Sequence, residues 1–143
     1  MEPSTKLCLG LHTTTPTLGI ALGQIIGGEL HLLHDRQWSL GKESSTLIHY
    51  YLAELFRDRA WQDLVYVAVA TGVGSFTGTR VGVVLARTLG QQLQIPVYGI
   101  ANSEVDAHNP HRSEAANLLH LAHAQWRNHY LPDYTAVLPL YEL

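Results

Sequence analysis

Residues 64–82 read LVYVAVATGVGSFTGTRVG, and this stretch decides the fold. Leu64 to Ala70 is a continuous apolar run rich in β-branched residues, which is typical of a strand covered on both faces. The glycine-rich loop 72–79 separates this run from a helix predicted over Arg80 to Leu93, and a further strand is predicted over Val97 to Ile100. A strand, a helix and a strand in this order predict two parallel strands joined by a right-handed crossover.

The N-terminal part predicts an antiparallel meander. Three extended segments are predicted, Lys6 to His12, Thr17 to Ile26 and Glu29 to Trp38, and Gly27-Gly28 supplies a two-residue turn between the last two. A helix is predicted from a cap at Ser44 or Ser45 to about Arg57. Its core face has the spacing i, i+3, i+4 and i+7, which is met by Ile48, Tyr51, Leu52 and Leu55.

These elements together predict an α/β protein with a mixed five-stranded sheet and flanking helices. The arrangement is similar to the ribonuclease-H-like lobe of the actin, sugar kinase and Hsp70 superfamily, and we expect residues 1–104 to form this lobe. Residues 105–143 are expected to be a remnant of a second lobe that is largely missing. The predicted parts of this remnant are a linker within the polar segment 102–113, a helix over Glu114 to His129 and an extended tail over Tyr134 to Leu143.

Composition limits the class of protein. The chain has 143 residues, of which 46% are hydrophobic and 15% charged, a balance that indicates one globular domain rather than a disordered chain. Its formal charge of −3 argues against a chain built to hold nucleic acid alone. The single cysteine, Cys8, excludes an internal disulfide framework. No run is apolar enough to span a bilayer and the N-terminus does not read as a signal peptide, so we expect a cytoplasmic protein without membrane contact.

The glycine-rich loop has the ingredients of an anion site. Its glycines bring bare backbone N–H groups close to a partner, and the helix that follows adds partial positive charge. The residues that would bind a nucleotide or another anion are Gly72, Gly74, Ser75, Thr77, Gly78 and Arg80. The alternative is a tight turn in which Thr77 or Thr79 only caps the helix. The loop lacks the GKS or GKT of a Walker A motif.

The same loop carries a family resemblance. Gly72 to Gly82 closely resembles the GxGSFTGxRxG stretch of the TsaB (YeaZ) family, whose members are partner subunits in the bacterial system that makes threonylcarbamoyladenosine in tRNA. Leu7 to Leu22 resembles the opening hairpin of that family, Pro96 to Ile100 with Ser103 resembles its next strand and turn, and Pro139-Leu140-Tyr141 resembles its C-terminal ending. The chain is identified as a shortened member of this family.

Two departures from the family pattern argue against independent ATP hydrolysis. The opening aspartate, which in the superfamily helps to hold the magnesium of ATP, is replaced by His12, and a neutral imidazole is a poor ligand for that ion. Only some 40 residues follow Ile100, too few for a second five-stranded lobe. Because superfamily enzymes bind nucleotide between two lobes, we do not expect this chain to build that cleft alone.

Other catalytic or metal sites are not predicted. A two-metal nuclease would need acidic residues on the first strand, which contains none. Cys8 lies in an apolar strand and is expected to be a buried hydrophobic residue rather than a nucleophile. Nine histidines invite a metal hypothesis, and His120 and His123 stand at i, i+3 on the predicted C-terminal helix. No third ligand is placed by spacing, so we predict neither a metal site nor catalytic residues.

The two helices of the lobe have apolar flanks beside their core faces. The resemblance implies that TsaB docks on its partner TsaD helix pair to helix pair, and that TsaD carries the transferase chemistry. The predicted interface comprises Leu47, Tyr50, Tyr51, Glu54, Val81, Val84, Leu85 and Arg87. The alternative is that the C-terminal helix of the chain itself covers these side chains.

The resemblance therefore implies a non-catalytic scaffold and activator of TsaD. The complex would form N6-threonylcarbamoyladenosine at position 37 of tRNAs that read codons beginning with A, and this chain would meet tRNA only indirectly. No intrinsic cofactor is expected. ATP or ADP at the partner interface, a TsaE-like ATPase as a further partner, and a homodimer of the isolated chain are left open. The rival hypothesis is a nucleotide-binding ATPase that uses the loop Gly72 to Arg80.

Overall fold

The computed structural model describes residues 4–72 and 77–137, without the side chains of Lys42 and of residues 77–79. The strands are β1 (Leu7–His12), β2 (Thr17–Ile26), β3 (Glu29–Ser39), β4 (Leu64–Thr71) and β5 (Val97–Ala101). The helices are α1 (Ser44–Leu55), α2 (Thr77–Leu93), α3 (Asn102–His108) and α4 (Glu114–Arg127), with short 3-10 turns at Gly41–Glu43, Trp61–Asp63 and Tyr134–Ala136.

The five strands form one mixed sheet in the order β3-β2-β1-β4-β5. The pairs β1/β2 and β2/β3 are antiparallel, while β1/β4 and β4/β5 are parallel. Gly27 and Gly28 both take positive φ, which lets the chain reverse tightly between β2 and β3. The predicted ribonuclease-H-like lobe is confirmed.

Each face of the sheet has its own core. On one face, Val67 and Val69 of β4 pack in a cluster with residues of α1 and α2, such as Ile48 and Val83. On the other face the alternate residues of β4, Tyr66 and Ala68 among them, pack in a cluster with α4. The residues that α4 buries there include Ala115, Leu118, Leu119 and Ala122, the side predicted for this helix. The sheet therefore separates α4 from the α1 and α2 layer.

The starts of both helices on the first face differ from the prediction. Ser44 is the first residue of α1 and does not cap it, because its hydroxyl is buried and donates to the Pro16 carbonyl at 3.5 Å. Helix α2 begins at Thr77 rather than at Arg80, so Thr77 and Gly78 belong to its first turn. Sequence favours a later start because threonine and glycine are poor helix formers.

The predicted linker at 102–113 is wrong for its first half, where the chain forms α3. This helix is held by tertiary contacts: Val105 is fully buried, and the Asn117 amide of α4 donates to the carbonyls of Val105 and Asn109 at 3.0 and 3.1 Å. The predicted domain boundary between residues 104 and 105 lies inside α3. The division into two domains stays a prediction.

For the C-terminal part, the predicted helix α4 is confirmed, whereas the prediction for the start of the tail is wrong. Ser113 caps α4 by accepting a hydrogen bond from the N–H of Ala116 at 3.0 Å, and the helix ends at Arg127. The segment predicted as an extended tail begins with a 3-10 turn at Tyr134–Ala136, and its remainder, 138–143, lies outside the described residues. Within 4–72 and 77–137, no helix combines the length and the apolarity that crossing a bilayer requires.

Gly10 permits the close approach of α4 to the sheet. A Cβ atom at Gly10 would stand 2.8 Å from the backbone carbonyl oxygen of Ala115 and 3.2 Å from Cγ of Leu119. We expect Gly10→Ala to lower the free energy of unfolding by about 1–3 kcal/mol, since α4 must move away from β1. Denaturant unfolding measures this loss. Gly19→Ala is the control, because its Cβ would stand no closer than 3.3 Å to the Cβ of His12 and 3.4 Å to the Cβ of Ala115. Equal losses in the two variants would contradict the account.

Candidate functional site

Two regions of the lobe carry the residues predicted for function. We call the outward side of α1 and α2 the helix-pair surface; it holds the predicted interface. We call the side chains and turns at the carboxyl ends of β1, β4 and β5 the strand-end cluster; the glycine-rich loop begins there. The two regions are described in turn.

The helix-pair surface exposes large apolar side chains. Ile48 and Leu52 of α1 and Val83 of α2 point into the core and are buried. Tyr50 and Val84 point outward, and each is 57% exposed. Both side chains therefore lie on the outward side of the layer that α1 and α2 form on this face of the sheet.

The other predicted interface residues divide between the core and this surface. Tyr51 lies flat on Trp38 of β3, with ring centroids 4.1 Å apart, and Tyr50 meets its edge at 5.4 Å. Tyr51 therefore supports the fold as well as the surface. Glu54 is exposed, and the remaining residues are partly exposed: Leu47, Val81, Leu85 and Arg87. The structure thus brings all eight predicted interface residues to the α1 and α2 layer.

The alternative explanation for this surface is wrong. It required the C-terminal helix of the chain to cover α1 and α2. In the structure α4 packs on the opposite face of the sheet, in a separate cluster with Cys8, Tyr66 and Ala68. Among the described residues, nothing reduces the exposure of Tyr50 and Val84 below half.

The strand-end cluster centres on His12, which stands where the resemblance implies an aspartate. Its ring is buried at the end of β1, and Nε2 lies 2.7 Å from a carboxylate oxygen of Glu114, the first residue of α4. The Thr14 hydroxyl lies 3.4 Å from the same Nε2 and donates to Oδ1 of Asn102 at 2.9 Å. This network joins the β1–β2 loop to the starts of α3 and α4.

The environment of His12 favours the neutral ring. Burial lowers the pKa of His12, and the carboxylates of Glu114 and Asp106 oppose this shift without reversing it. A neutral ring can donate its Nε2–H to Glu114. The pairing with Glu114 could not be predicted from sequence, because no local spacing connects a strand end with the start of a distant helix.

The glycine-rich loop is only partly described. A Cβ at Gly72 would stand 2.5 Å from Nδ2 of Asn102, so a side chain there would displace the Asn102 amide. Of the predicted anion-binding residues, Gly74 and Ser75 lie outside the described residues, as do the side chains of Thr77 and Gly78, while Arg80 is exposed on the first turns of α2. The anion site, and with it the ATPase hypothesis, stays a prediction.

One contact holds the start of α2 against the β1–β2 loop. A Cβ atom at Gly82 would overlap the side chain of Thr13. The Thr13 hydroxyl is buried there, and within the described parts of the chain it has no hydrogen-bond partner. The glycine predicted at the end of the loop motif therefore serves helix packing.

The two histidines of α4 lie in different environments. His123 is 8% exposed, and its Nε2 lies 2.9 Å from the carbonyl oxygen of Gly28 in the β2–β3 turn. Burial, followed by the charges of Arg112, His108 and His123, lowers the pKa of His120. In the ranges that the structure describes, no three histidine, cysteine or acidic residues converge as a metal site would require.

The buried His12 makes stability depend on pH. Its folded-state pKa is lower than the value of about 6.5 expected in the unfolded chain. The stabilisation that comes from burying the neutral ring is therefore fully present above about pH 6.5. As the pH falls below this value, the free energy of unfolding decreases by at most about 1.4 kcal/mol per pH unit. We expect the free energy of unfolding of His12→Asn to fall less between pH 7 and pH 5 than that of the wild type, measured in urea.

The matched control is His129→Asn, which removes an exposed imidazole at a position of positive φ that asparagine tolerates. This control should follow the wild-type pH dependence. Parallel curves for the wild type and His12→Asn would contradict the account.

Comparison with known families adds a sequence relationship. A family model described as "TsaD: tRNA N6-adenosine threonylcarbamoyltransferase" matches residues 42–137, about two thirds of the chain. A Bacillus subtilis (strain 168) protein, "tRNA threonylcarbamoyladenosine biosynthesis protein TsaB", is 36% identical over 104 residues, 71% of this chain and 43% of that protein. The protein of the same name from Buchnera aphidicola is 41% identical over 44 residues, 31% of this chain and 21% of that protein.

Solved structures agree on the fold. "YeaZ from Pseudomonas aeruginosa" matches with a TM-score of 0.71 at 16% identity, covering 95% of this chain and 100% of that one. Thermus thermophilus RuvC matches with a TM-score of 0.60 at 16% identity, covering 89% of this chain and 99% of that one. At these identities the likeness shows the fold alone.

The chain spans less than half the length of the curated relatives it matches. The family match nevertheless covers both helices of the helix-pair surface and continues through α4. The matched family model and the TsaB-named relatives together show that this chain belongs to the tRNA threonylcarbamoyltransferase (TsaD) family, within its TsaB (YeaZ) group.

Proposed function

We propose that this protein is a non-catalytic scaffold and activator of a TsaD-like transferase subunit. The complex would form N6-threonylcarbamoyladenosine at position 37 of tRNAs that read codons beginning with A. The observation that carries the proposal is the helix-pair surface, where Tyr50 and Val84 are each 57% exposed in a chain of this family.

The chemistry of this surface suits a protein partner. Tyr50 offers a large apolar ring with a polar tip, a residue type that is enriched at the centres of interfaces. Val84 adds an aliphatic contact, and the exposed Glu54 and the partly exposed Arg87 add charges. A stable contact between two helix pairs would bury on the order of 1,200–2,000 Å² in total.

The strand-end cluster supports a role without catalysis. The carboxylate that in the superfamily helps to hold the magnesium of ATP is replaced by His12, whose ring is buried and bonded to Glu114. The side chains at the end of β1 thus hold α4 in place. In the proposed complex the partner carries the transfer chemistry and contacts the tRNA. ATP or ADP at the shared interface would be a ligand of the complex.

Activation would work by stabilising one arrangement of the partner. The chain can shift the partner toward its active state only as far as it binds that state more tightly than the inactive one. The helix-pair surface is the contact through which this difference would act. In the absence of the partner, the same surface would be free to pair two copies of this chain.

The test is a reconstituted reaction with a TsaD-like subunit, threonylcarbamoyl-adenylate and tRNA. We expect product formation to rise when the wild-type chain is added. Tyr50→Glu and Val84→Glu place a charge in the proposed contact, so each should weaken partner binding at least tenfold, because interface centres lose about 2 kcal/mol or more on disruption. Calorimetric titration of the partner measures this loss.

Ile26→Glu is the matched control, since Ile26 is 53% exposed at the end of β2, outside the helix-pair surface. It should bind and activate like the wild type. Product formation that is unchanged by the wild-type chain, or equal losses in all three variants, would overturn the proposal.

A further inference from the structure

A groove of about 280 Å³ lies between the edge strand β3 and the C-terminal end of α1. Its floor is formed by His34, Arg36 and Trp38, which alternate along β3 and therefore share one face of the strand. The wall opposite is formed by the end of α1 and the turn after it, including Arg57 and Arg59. Apart from Ile20, no residue that lines the groove belongs to the family motifs or to the predicted anion loop.

One of its arginines is structural. The Arg59 guanidinium donates from Nη1 to the Leu55 carbonyl at 2.9 Å, and its Nη2 lies 3.2 Å from Nε2 of His34. Arg59 thus satisfies a carbonyl at the end of α1 and ties this helix end to β3.

The other two arginines, Arg36 and Arg57, are exposed in the groove. Within the described ranges neither guanidinium group forms a hydrogen bond or an ion pair, although Glu54 and Asp58 line the same groove. The groove contains three of the seven arginines of a chain whose formal charge is −3. Two guanidinium groups are therefore available to a ligand, and guanidinium groups favour phosphate and carboxylate oxygens.

The groove also has an aromatic wall. Trp38 and Tyr51 both line it and are stacked on each other with an interplanar angle of 14°. Stacked rings of this kind offer a rigid apolar surface beside which a flat group such as a nucleobase can pack. Arginines beside an aromatic wall favour a ligand that combines an anion with a planar ring.

The net charge of the groove lining limits the number of phosphates that a ligand can carry. Burial, followed by the charges of Arg59 and Arg36, lowers the pKa of His34, so its ring adds no charge near pH 7. Three arginines against Glu54 and Asp58 leave one net positive charge in the lining. This matches the single negative charge of a phosphodiester better than the several charges of a di- or triphosphate.

We infer that this groove binds one nucleotide of a single-stranded RNA segment. Its phosphodiester would lie on Arg36 and Arg57, and its base would pack beside Trp38 and Tyr51. The choice of RNA rests on the proposed function, which places the chain next to a tRNA. The groove would give the chain a direct RNA contact, where the sequence predicts only an indirect one. It shares Tyr51 and Glu54 with the predicted partner interface, so both ligands would meet along α1.

The test uses the full chain alone and a short, unstructured, fluorescently labelled RNA oligomer, with binding followed by fluorescence anisotropy. We expect saturable binding that weakens about threefold between 50 and 250 mM salt, as the neutralisation of one phosphate implies. The double variant Arg36→Gln/Arg57→Gln should bind at least tenfold more weakly. Arg127→Gln, an exposed arginine at the end of α4 on the other side of the sheet, is the matched control and should bind like the wild type.

Competitors distinguish other ligands. Adenosine triphosphate and a glutamate-rich peptide should each displace the oligomer at least tenfold less effectively than unlabelled RNA, because the groove lining has one net positive charge. Equal displacement by adenosine triphosphate would make the ligand a free nucleotide with several phosphates, and stronger displacement by the peptide would make it an acidic protein segment. Either result, an absence of RNA binding, or equal losses for Arg127→Gln and the double variant would overturn the inference.

The two proposals can fail separately. RNA binding is measured without a partner, whereas the proposed function is measured as product formation with a TsaD-like subunit. Activation by a chain that does not bind RNA would overturn the groove inference alone. RNA binding by a chain that neither binds nor activates the partner would overturn the proposed function alone. Circular dichroism and thermal unfolding of the double variant verify that it is folded.

Discussion

The fixed position of α4 on one face of the sheet is the constraint on which the other features depend. Gly10 lets the helix backbone approach β1, and the buried His12 bonds to Glu114 at the start of the helix. Leu118 and Leu119 then fill the space between helix and sheet. Because α4 is committed to this face, it cannot also cover α1 and α2, and Tyr50 stays exposed on the opposite side.

This division of the molecule explains why the end of β1 and the helix-pair surface have different roles. At the strand ends, His12, Thr14 and Asn102 use their polar groups on one another and on Glu114, which stabilises the fold. The helix-pair surface instead presents apolar side chains that the described parts of the chain leave half exposed. A chain of this family whose His12 is bonded within the fold and whose helix layer is open is suited to binding a partner.

Much of the fold could be predicted, because its signals are local. The alternation in Thr17–Ile26 and the Gly27-Gly28 turn define β2 and its hairpin, and the buried run at Leu64 defines β4. Helix α3 could not be predicted, since its polar sequence is held in place by Asn117 of another helix. The same holds for the His12 contact with Glu114 and for the groove beside β3, which arise from residues far apart in sequence. The placement of the eight residues predicted for the interface on the α1 and α2 layer could be predicted, because helical spacing is local, whereas the stacking of Tyr51 on Trp38 could not.

Protection of an introduced thiol tests most directly whether the helix-pair surface is the docking face. The only native cysteine, Cys8, is buried, and burial raises its pKa to about 12, so it does not compete for a maleimide reagent near pH 7. A cysteine introduced as Val84→Cys should react rapidly in the free chain and at least tenfold more slowly with a saturating TsaD-like subunit. A cysteine introduced as Ile26→Cys should react at the same rate in both. An unchanged rate at position 84, measured under conditions in which the complex forms, would contradict the account.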